Sequence, residues 1–190
     1  MITFPKKYNC LKKQIFDQEE YKIIPIRCED RYKIMQWRNE QIYHLRQEKP
    51  LSKKEQDKYF ENTVSKLFEI DQPDQILFSF LKKDKLIGYG GLVHIDWKDK
   101  NAEISFLMDT ELEKNNFGKY WHIFLLLIEE VAFKEINLNK IYTYAFDLRP
   151  NLFDVLINSG YKEDARLKKH CLYENKYIDV LIHFKINDKL

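Results

Sequence analysis

The sequence predicts an α/β fold of the α+β kind, a mixed and mostly antiparallel central sheet of about seven strands flanked by helices. Three observations lead there. From Tyr21 onward, short runs rich in β-branched and aromatic residues alternate with longer helical patterns. Three consecutive strand runs, Gln75 to Leu81, Lys85 to Ile95 and Ala102 to Met108, are separated only by turns and read as an antiparallel meander. A long apolar helical run, Tyr120 to Phe133, then precedes another strand, Lys140 to Phe146.

Taken in order, residues 1–20 are mixed and charged, and predict an N-terminal arm with a short helix around Leu11 to Phe16. Residues 21–190 form one domain. Tyr21 to Ile26 is its first strand, and Pro25 favours a place near a sheet edge. Asp30 starts a helix that carries Ile34, Trp37 and Ile42 near one face and ends by Lys49, before Pro50. Ser52-Lys-Lys-Glu55 is a capping box and opens a second helix running to about Leu67. The meander turns at Lys83-Asp84 and at Asp96 to Lys100. Asp147 and Pro150 start a short helix that ends at Ser159-Gly160. A final strand pair reaches Ile186, with a turn at Glu174-Asn175.

Composition narrows the class. A chain of 190 residues, 44% apolar and 15% aromatic, fits one well-cored domain. Basic and acidic residues balance at 32 to 30, which gives no general case for a nucleic-acid or acidic-membrane partner. Cys10, Cys28 and Cys171 lie far apart and form neither a metal spacing nor an even disulfide set. Reduced thiols, a cytoplasmic setting and no metal are the resulting expectations. The N-terminus lacks the apolar core of a secretory signal, and the apolar stretch Ile123 to Ile128 is far short of the ~20 residues that span a bilayer, so no membrane insertion is expected.

The stretch from Glu113 to Gly118 reads as a short loop opening into the apolar helix. Unpaired amides and the helix dipole make such an opening a potential anion site, although a plain turn before a core helix has the same sequence.

The order of elements resembles the GNAT N-acetyltransferase superfamily over roughly Tyr21 to Ile186. The phrases that carry it are Lys85-Leu-Ile-Gly-Tyr-Gly-Gly91, Ala102-Glu-Ile-Ser-Phe-Leu-Met108, Ala132-Phe133, Leu138-Asn-Lys-Ile141 and Asn158-Ser-Gly-Tyr161. Trp37-Arg38-Asn39, with the tail Leu167-Lys-Lys-His170 through Tyr177-Ile-Asp179, is most similar to the ribosomal-protein and amino-sugar acetyltransferase branch. The resemblance implies an acetyl-CoA-dependent N-acetyltransferase acting on a primary amine of a small acceptor, most of all a nucleotide-linked amino sugar, and working as a monomer or homodimer. A protein N-terminus as acceptor, or a non-catalytic binding module of the same fold, are the alternatives.

It also implies a site. The family's Arg/Gln-x-x-Gly-x-Gly/Ala pyrophosphate loop falls on Glu113, Lys114, Asn115, Asn116, Phe117 and Gly118, with Lys119 beside it. Gly118 matches, Asn116 stands for a glycine, and Glu113 puts a carboxylate where a cation or amide is usual. Leu107 and Met108 should polarise the thioester carbonyl and hold the pantetheine arm, and Arg149 takes the place of a CoA-contacting Asn. Glu103 is the first candidate for the base that deprotonates the amine, with a surface strand carboxylate as the ordinary alternative. His94 is the second candidate, since imidazole titrates near neutrality. Trp37, Arg38, His44, Arg46 and, more remotely, His170 suit a phosphorylated or sugar-nucleotide acceptor. Leu156 stands where many relatives carry a proton-donating Tyr, which leaves Tyr144 and Tyr161 as substitutes.

Overall fold

In the computed structural model, which describes residues 4–188, an eight-stranded sheet runs in the order β1-β2-β3-β4-β5-β6-β8-β7. Strands β1 (Phe16–Gln18), β2 (Tyr21–Pro25), β3 (Gln75–Lys82), β4 (Lys85–Asp96) and β5 (Asn101–Met108) are antiparallel neighbours. β6 (Lys140–Phe146) lies parallel to β5, and the hairpin of β7 (Lys162–Tyr173) and β8 (Lys176–Ile186) pairs with β6 through β8. The lysine-rich β7, exposed along most of its length, forms one edge, as expected for a strand that must resist further pairing. The expected closing strand pair, with its turn at Glu174-Asn175, is present, and its first strand reaches back to Lys162.

Helix α1 (Arg31–Glu40) packs on one face of the sheet. It ends at Glu40, well short of Lys49, because the next side chains tie the chain elsewhere. Gln41 donates to the Met108 carbonyl at 2.8 Å, and Asn39 exchanges hydrogen bonds with the Leu51 peptide at 2.7 and 2.9 Å. The intervening Leu45 and Arg46 therefore run as an extended loop over the sheet. Helix α2 (Lys53–Tyr59) opens on the complete Ser52/Glu55 capping box and continues through a π turn, Phe60–Val64, into α3 (Ser65–Leu67).

The opposite face carries α4 (Thr110–Glu129), continued by a π turn at Glu130–Glu135, and α5 (Pro150–Asn158). Strand periodicity explains the division. Phe106 points to α4, stacking on Trp121 at 4.9 Å and lying 4.6 Å from Phe124, whereas Glu103 and Ser105 point to the α1 side. Trp37 is 1% exposed and belongs to the core, so it cannot stack on a ligand.

Residues near the N-terminus do not form the expected helix between Leu11 and Phe16. Tyr8, Leu11 and Phe16 are buried in the common core, and Phe16 opens β1. Tyr8 stacks on Phe68 at 4.0 Å, and its hydroxyl both donates to the Leu77 carbonyl (3.0 Å) and accepts from the Leu77 amide (3.1 Å). The Leu77 carbonyl also accepts from the Ile26 amide at 3.0 Å, so the tyrosine chiefly gives the buried Leu77 amide its partner.

Gly90 allows β4 and β5 to approach closely beneath α4. A Cβ there would sit 2.2 Å from the Ser105 carbonyl oxygen and 2.8 Å from Phe124 Cζ. Gly90→Ala should cost about 2–3 kcal/mol. In a chain of this size that lowers Tm by roughly 4–12 °C, which calorimetry would detect.

Candidate active site

β5 and β6 are paired only through Asn101, Ala102 and Glu103 against Lys140, Ile141 and Tyr142. Beyond Glu103 they part, and a cavity of about 620 Å³ opens between them. Its walls come from both faces of the sheet: Phe106, Phe117 and Trp121 on the α4 side, and Arg38, Arg46 and Glu103 on the α1 side. The opening therefore crosses the sheet.

Backbone direction in the parted strand follows from its hydrogen bonds. The Asp109 amide donates to Ile87 of β4, while the Met108 carbonyl points the other way and accepts from Gln41. By strand alternation the Leu107 amide turns toward β4, and the peptide of Phe106 turns toward the opening. Of the two residues expected to polarise a carbonyl, Leu107 turns its amide to β4, and Met108, 1% exposed, turns the other way, with its carbonyl held by Gln41; neither lines the cavity, whose strand wall is Ile104, Ser105 and Phe106.

Glu103 is 6% exposed and lies at the point where the strands part. Arg46 forms an ion pair with it, and its guanidinium also covers the Tyr144 ring at 4.7 Å. His94 Nε2 stands 3.9 Å from the second carboxylate oxygen. A bulge between Val93 and Asp96, with His94 at φ 51°, aims that imidazole at Glu103. Burial pushes the Glu103 carboxyl above its ordinary value, opposed by the Arg46 and His94 charges. The two candidate bases thus form one cluster with Arg46, which suits Glu103 for taking a proton near neutral pH.

Tyr144 is the tyrosine lining this cavity, and its hydroxyl is 3.8 Å from Cys171 Sγ. Leu156 is fully buried in the core, and Tyr161 is buried with Glu129 and Lys185 nearby, away from the opening. Between the two tyrosines left open by sequence, geometry selects Tyr144. Thr143 also lines the cavity with a buried hydroxyl that has no partner, a contact sequence reading missed because a strand threonine carries no signal of its own. His44 faces the cavity beside Arg149 at 3.2 Å, and burial first, then Arg149, lowers its pKa to about 3, so it is neutral at working pH. His170 is on the exposed β7, 6.2 Å from the Tyr144 ring, and does not line the opening. His122 is exposed on α4, and its ring Nδ1 lies 2.8 Å from Ser159 Oγ, away from the opening.

The expected phosphate loop is not a loop. Lys114, Asn115, Asn116, Phe117 and Gly118 lie inside α4, where backbone amides are taken up by the helix's own ladder. The helix starts at Thr110 because Asp109 caps it, its side chain accepting from the amides of Glu111 (3.0 Å) and Leu112 (3.3 Å). Lys114 pairs with Glu111, and Lys119 lies 5.7 Å from the Tyr21 ring, on the far side from the opening. Glu113 forms a 2.5 Å ion pair with Arg149, each side chain 16% exposed.

A passage crossing a sheet, with an apolar wall on one face and a carboxylate at its waist, can bring two molecules together at one point from opposite faces. The acetyltransferase (GNAT) domain model matches residues 23–182. The chain belongs to that family and is an N-acetyltransferase with acetyl-CoA as co-substrate. It is similar to the spermidine N-acetyltransferase from Vibrio cholerae solved with CoA and spermine, with TM-score 0.79 and 17% identity over 90% of this chain and 98% of that one. A dodecameric structure of the Vibrio cholerae spermidine N-acetyltransferase in an intermediate state gives TM-score 0.72 and 19% identity, covering 90% and 96% of the two chains. No curated protein matches. The opening fits the acyl and pantetheine end of acetyl-CoA, with free strand peptides and the apolar wall of Phe106, Phe117 and Trp121; the phosphate end meets no glycine loop. Among the described residues no group of His, Cys, Asp and Glu could hold a metal, and no helix is long and apolar enough to cross a membrane. The cysteines are unbridged.

A helical Gly118 makes a different prediction from a loop Gly118. An added Cβ meets only Val155 Cγ2, at 3.4 Å. Gly118→Ala should stabilise the fold by about 0.5–1 kcal/mol through helix propensity and leave the acetyl-CoA Kd within about twofold, measured by calorimetry.

Proposed function

We propose that this enzyme acetylates the primary amine of a small acceptor that carries an anionic group. The observation behind the acceptor class is Arg38. Its guanidinium sits where the opening meets a second cavity of about 330 Å³ on the α1 and α2 side. Its hydrogen bonds go to neutral partners, Tyr89 Oη at 2.8 Å and Gln47 Oε1 at 3.0 Å, and among the described residues no carboxylate pairs with it. A largely buried cation without a counter-charge is costly, and an acceptor carboxylate or phosphate would relieve that cost.

The charge balance of the opening supports the same reading. Arg38, Arg46 and Arg149 line it against the single carboxylate Glu103, which Arg46 already holds. The Vibrio cholerae relatives are spermidine N-acetyltransferases; a polycation here would face like charge. Nothing in the comparisons points to an amino sugar, and a nucleotide-linked amino sugar enters as one member of the anionic class. A protein N-terminus is disfavoured because Arg38, Arg46 and Arg149 outnumber Glu103 in the lining of the opening. A cytoplasmic setting remains part of the proposal, carried by the free thiols.

When bound, acetyl-CoA supplies an activated acetyl thioester. On the protein's side, Glu103, with His94 beside it, accepts the proton that frees the amine lone pair. The Phe106 peptide faces the carbonyl. The nitrogen–acetyl bond forms as the acetyl–sulfur bond breaks, and Tyr144 gives a proton to the departing thiolate, which leaves as the thiol.

Glu103→Gln should lower kcat by about 10²–10⁴-fold with acetyl-CoA affinity retained. The wild-type rate should climb with pH through a carboxyl displaced above its usual range, since the base works only when ionised, and that acid limb should vanish in the variant. An unchanged pH–rate profile would remove Glu103 from the chemistry.

A panel tests the acceptor: an amino-sugar nucleotide, a free amino acid, spermidine and an N-terminal peptide, each with wild type and Arg38→Met. Anionic amines should be preferred by wild type at least tenfold in kcat/KM, about 1.4 kcal/mol, and Arg38→Met should erase the preference. Preference for spermidine in both proteins would overturn the proposal.

A further inference from the structure

The Glu113–Arg149 pair stands at a boundary. A groove of about 360 Å³ lies outside the opening, at the start of α4, and is lined by Glu40, Tyr43, Glu113, Lys114 and Asn151. Phe117, Arg149 and Leu152 line both the groove and the opening, so they form the partition between them. Arg149 is fixed from three directions: the Glu113 carboxylate at 2.5 Å, the Phe117 ring at 4.4 Å and the neutral His44 imidazole at 3.2 Å. A ligand whose acyl arm occupies the opening and whose charged end reaches solvent on the α4 side must pass this partition.

The charges around the groove oppose phosphate as they stand. Asp109 caps α4, Glu111 and Glu113 lie in its first turn, and Glu40 reaches in from α1 to accept from Thr110 Oγ1 at 2.5 Å. The cations are Lys114, already held by Glu111, and Arg149, already held by Glu113. The helix amides that would otherwise receive an anion are taken by Asp109.

We propose that Glu113 and Arg149 form a latch on the donor path, in which Arg149 leaves Glu113 and turns to the diphosphate of acetyl-CoA, in place of the amides of a phosphate loop. This rests on acetyl-CoA being the co-substrate. Arg149 suits the exchange: its guanidinium is planar and bidentate, and it sits at the N-cap of α5, on the partition itself. Glu113 then serves as the internal stand-in for phosphate, holding a buried cation while the donor is absent and competing with the donor when it arrives.

Calorimetric titrations of acetyl-CoA and of S-acetyl-pantetheine, which lacks the phosphates, separate this from a structural ion pair. Glu113→Gln should tighten acetyl-CoA at least fivefold and leave S-acetyl-pantetheine within twofold. Adding Arg149→Met to Glu113→Gln avoids leaving either charge buried alone; the double variant should bind acetyl-CoA at least tenfold more weakly than Glu113→Gln, with a shallower salt dependence and unchanged S-acetyl-pantetheine affinity. Equal acetyl-CoA affinity in the single and double variants would overturn the latch while leaving the acetyltransferase reading intact. Absence of acetyl-CoA binding by wild type would overturn both.

Discussion

The parting of β5 from β6 is the constraint on which the rest of this structure depends. At their joined end the Lys100 carbonyl accepts from both the Asn139 amide (2.7 Å) and the Lys140 amide (3.1 Å), and three residue pairs follow. β6 then stays with β8 along its whole length, Lys140 to Phe146, while β5 stays with β4. Two half-sheets thus hinge at Glu103. Peptides that a continuous sheet would consume are left facing a gap, and side chains from both faces reach it. That one departure from regular pairing turns a structural sheet into a passage for two substrates, and it places the only carboxylate of the passage at its waist.

Three arginines around the passage illustrate how position decides the energetics of a charge. Arg149 and Glu113 are comparably buried; burial lowers the pKa of the first and raises that of the second, with mutual attraction opposing both shifts. Such a pair is close to break-even, because desolvation offsets the Coulomb gain, while removing one partner costs ~3–5 kcal/mol. Arg46 is half exposed, so its value lies less in stability than in orienting Glu103 and covering Tyr144. Arg38 has hydrogen bonds without a counter-charge. The uncompensated cation is the one placed beside the second cavity, where an acceptor's own charge can complete it.

Much of the fold was legible because its signals are local. The Ser52/Glu55 box, the meander turn at Lys83-Asp84, the closing hairpin turn at Glu174-Asn175 and the apolar stripe of α4 each carry their information within a few residues. What escaped is set by distant partners. α1 stops because Gln41 finds Met108, 67 residues away. The N-terminal residues join the core because Tyr8 finds Leu77, and nothing around Tyr8 announces that. In the site, Glu103, His94, Arg38 and Arg46 meet at the passage, the first two because a family pattern fixes strand positions. Trp37 was expected from residue type, and a tryptophan at a core position of α1 has the same type as a functional one. Lys119 was expected beside a phosphate loop, and it lies instead within α4 near the Tyr21 ring.

The start of α4 shows why the phosphate loop could not be read from its glycine. Asn115-Asn116-Phe117-Gly118 has the composition of a turn, but helix initiation is decided earlier, at Asp109, whose side chain satisfies two orphan amides. A cap of this kind is worth ~1 kcal/mol, and one mid-helix glycine costs about the same. The rest of the helix, with Tyr120, Trp121, Phe124, Leu125, Leu127 and Ile128 buried, then carries the Asn-Asn-Phe-Gly segment along. A diphosphate could reclaim the amides by displacing Asp109, since charge-assisted bonds of ~1.5–3 kcal/mol each exceed the cap. Glu113 would still stand in that same first turn, and Glu40 would still hold Thr110. Moving one guanidinium from a carboxylate to a phosphate leaves the helix, its cap and Thr110's partner in place, and so disturbs fewer interactions than rebuilding the helix end.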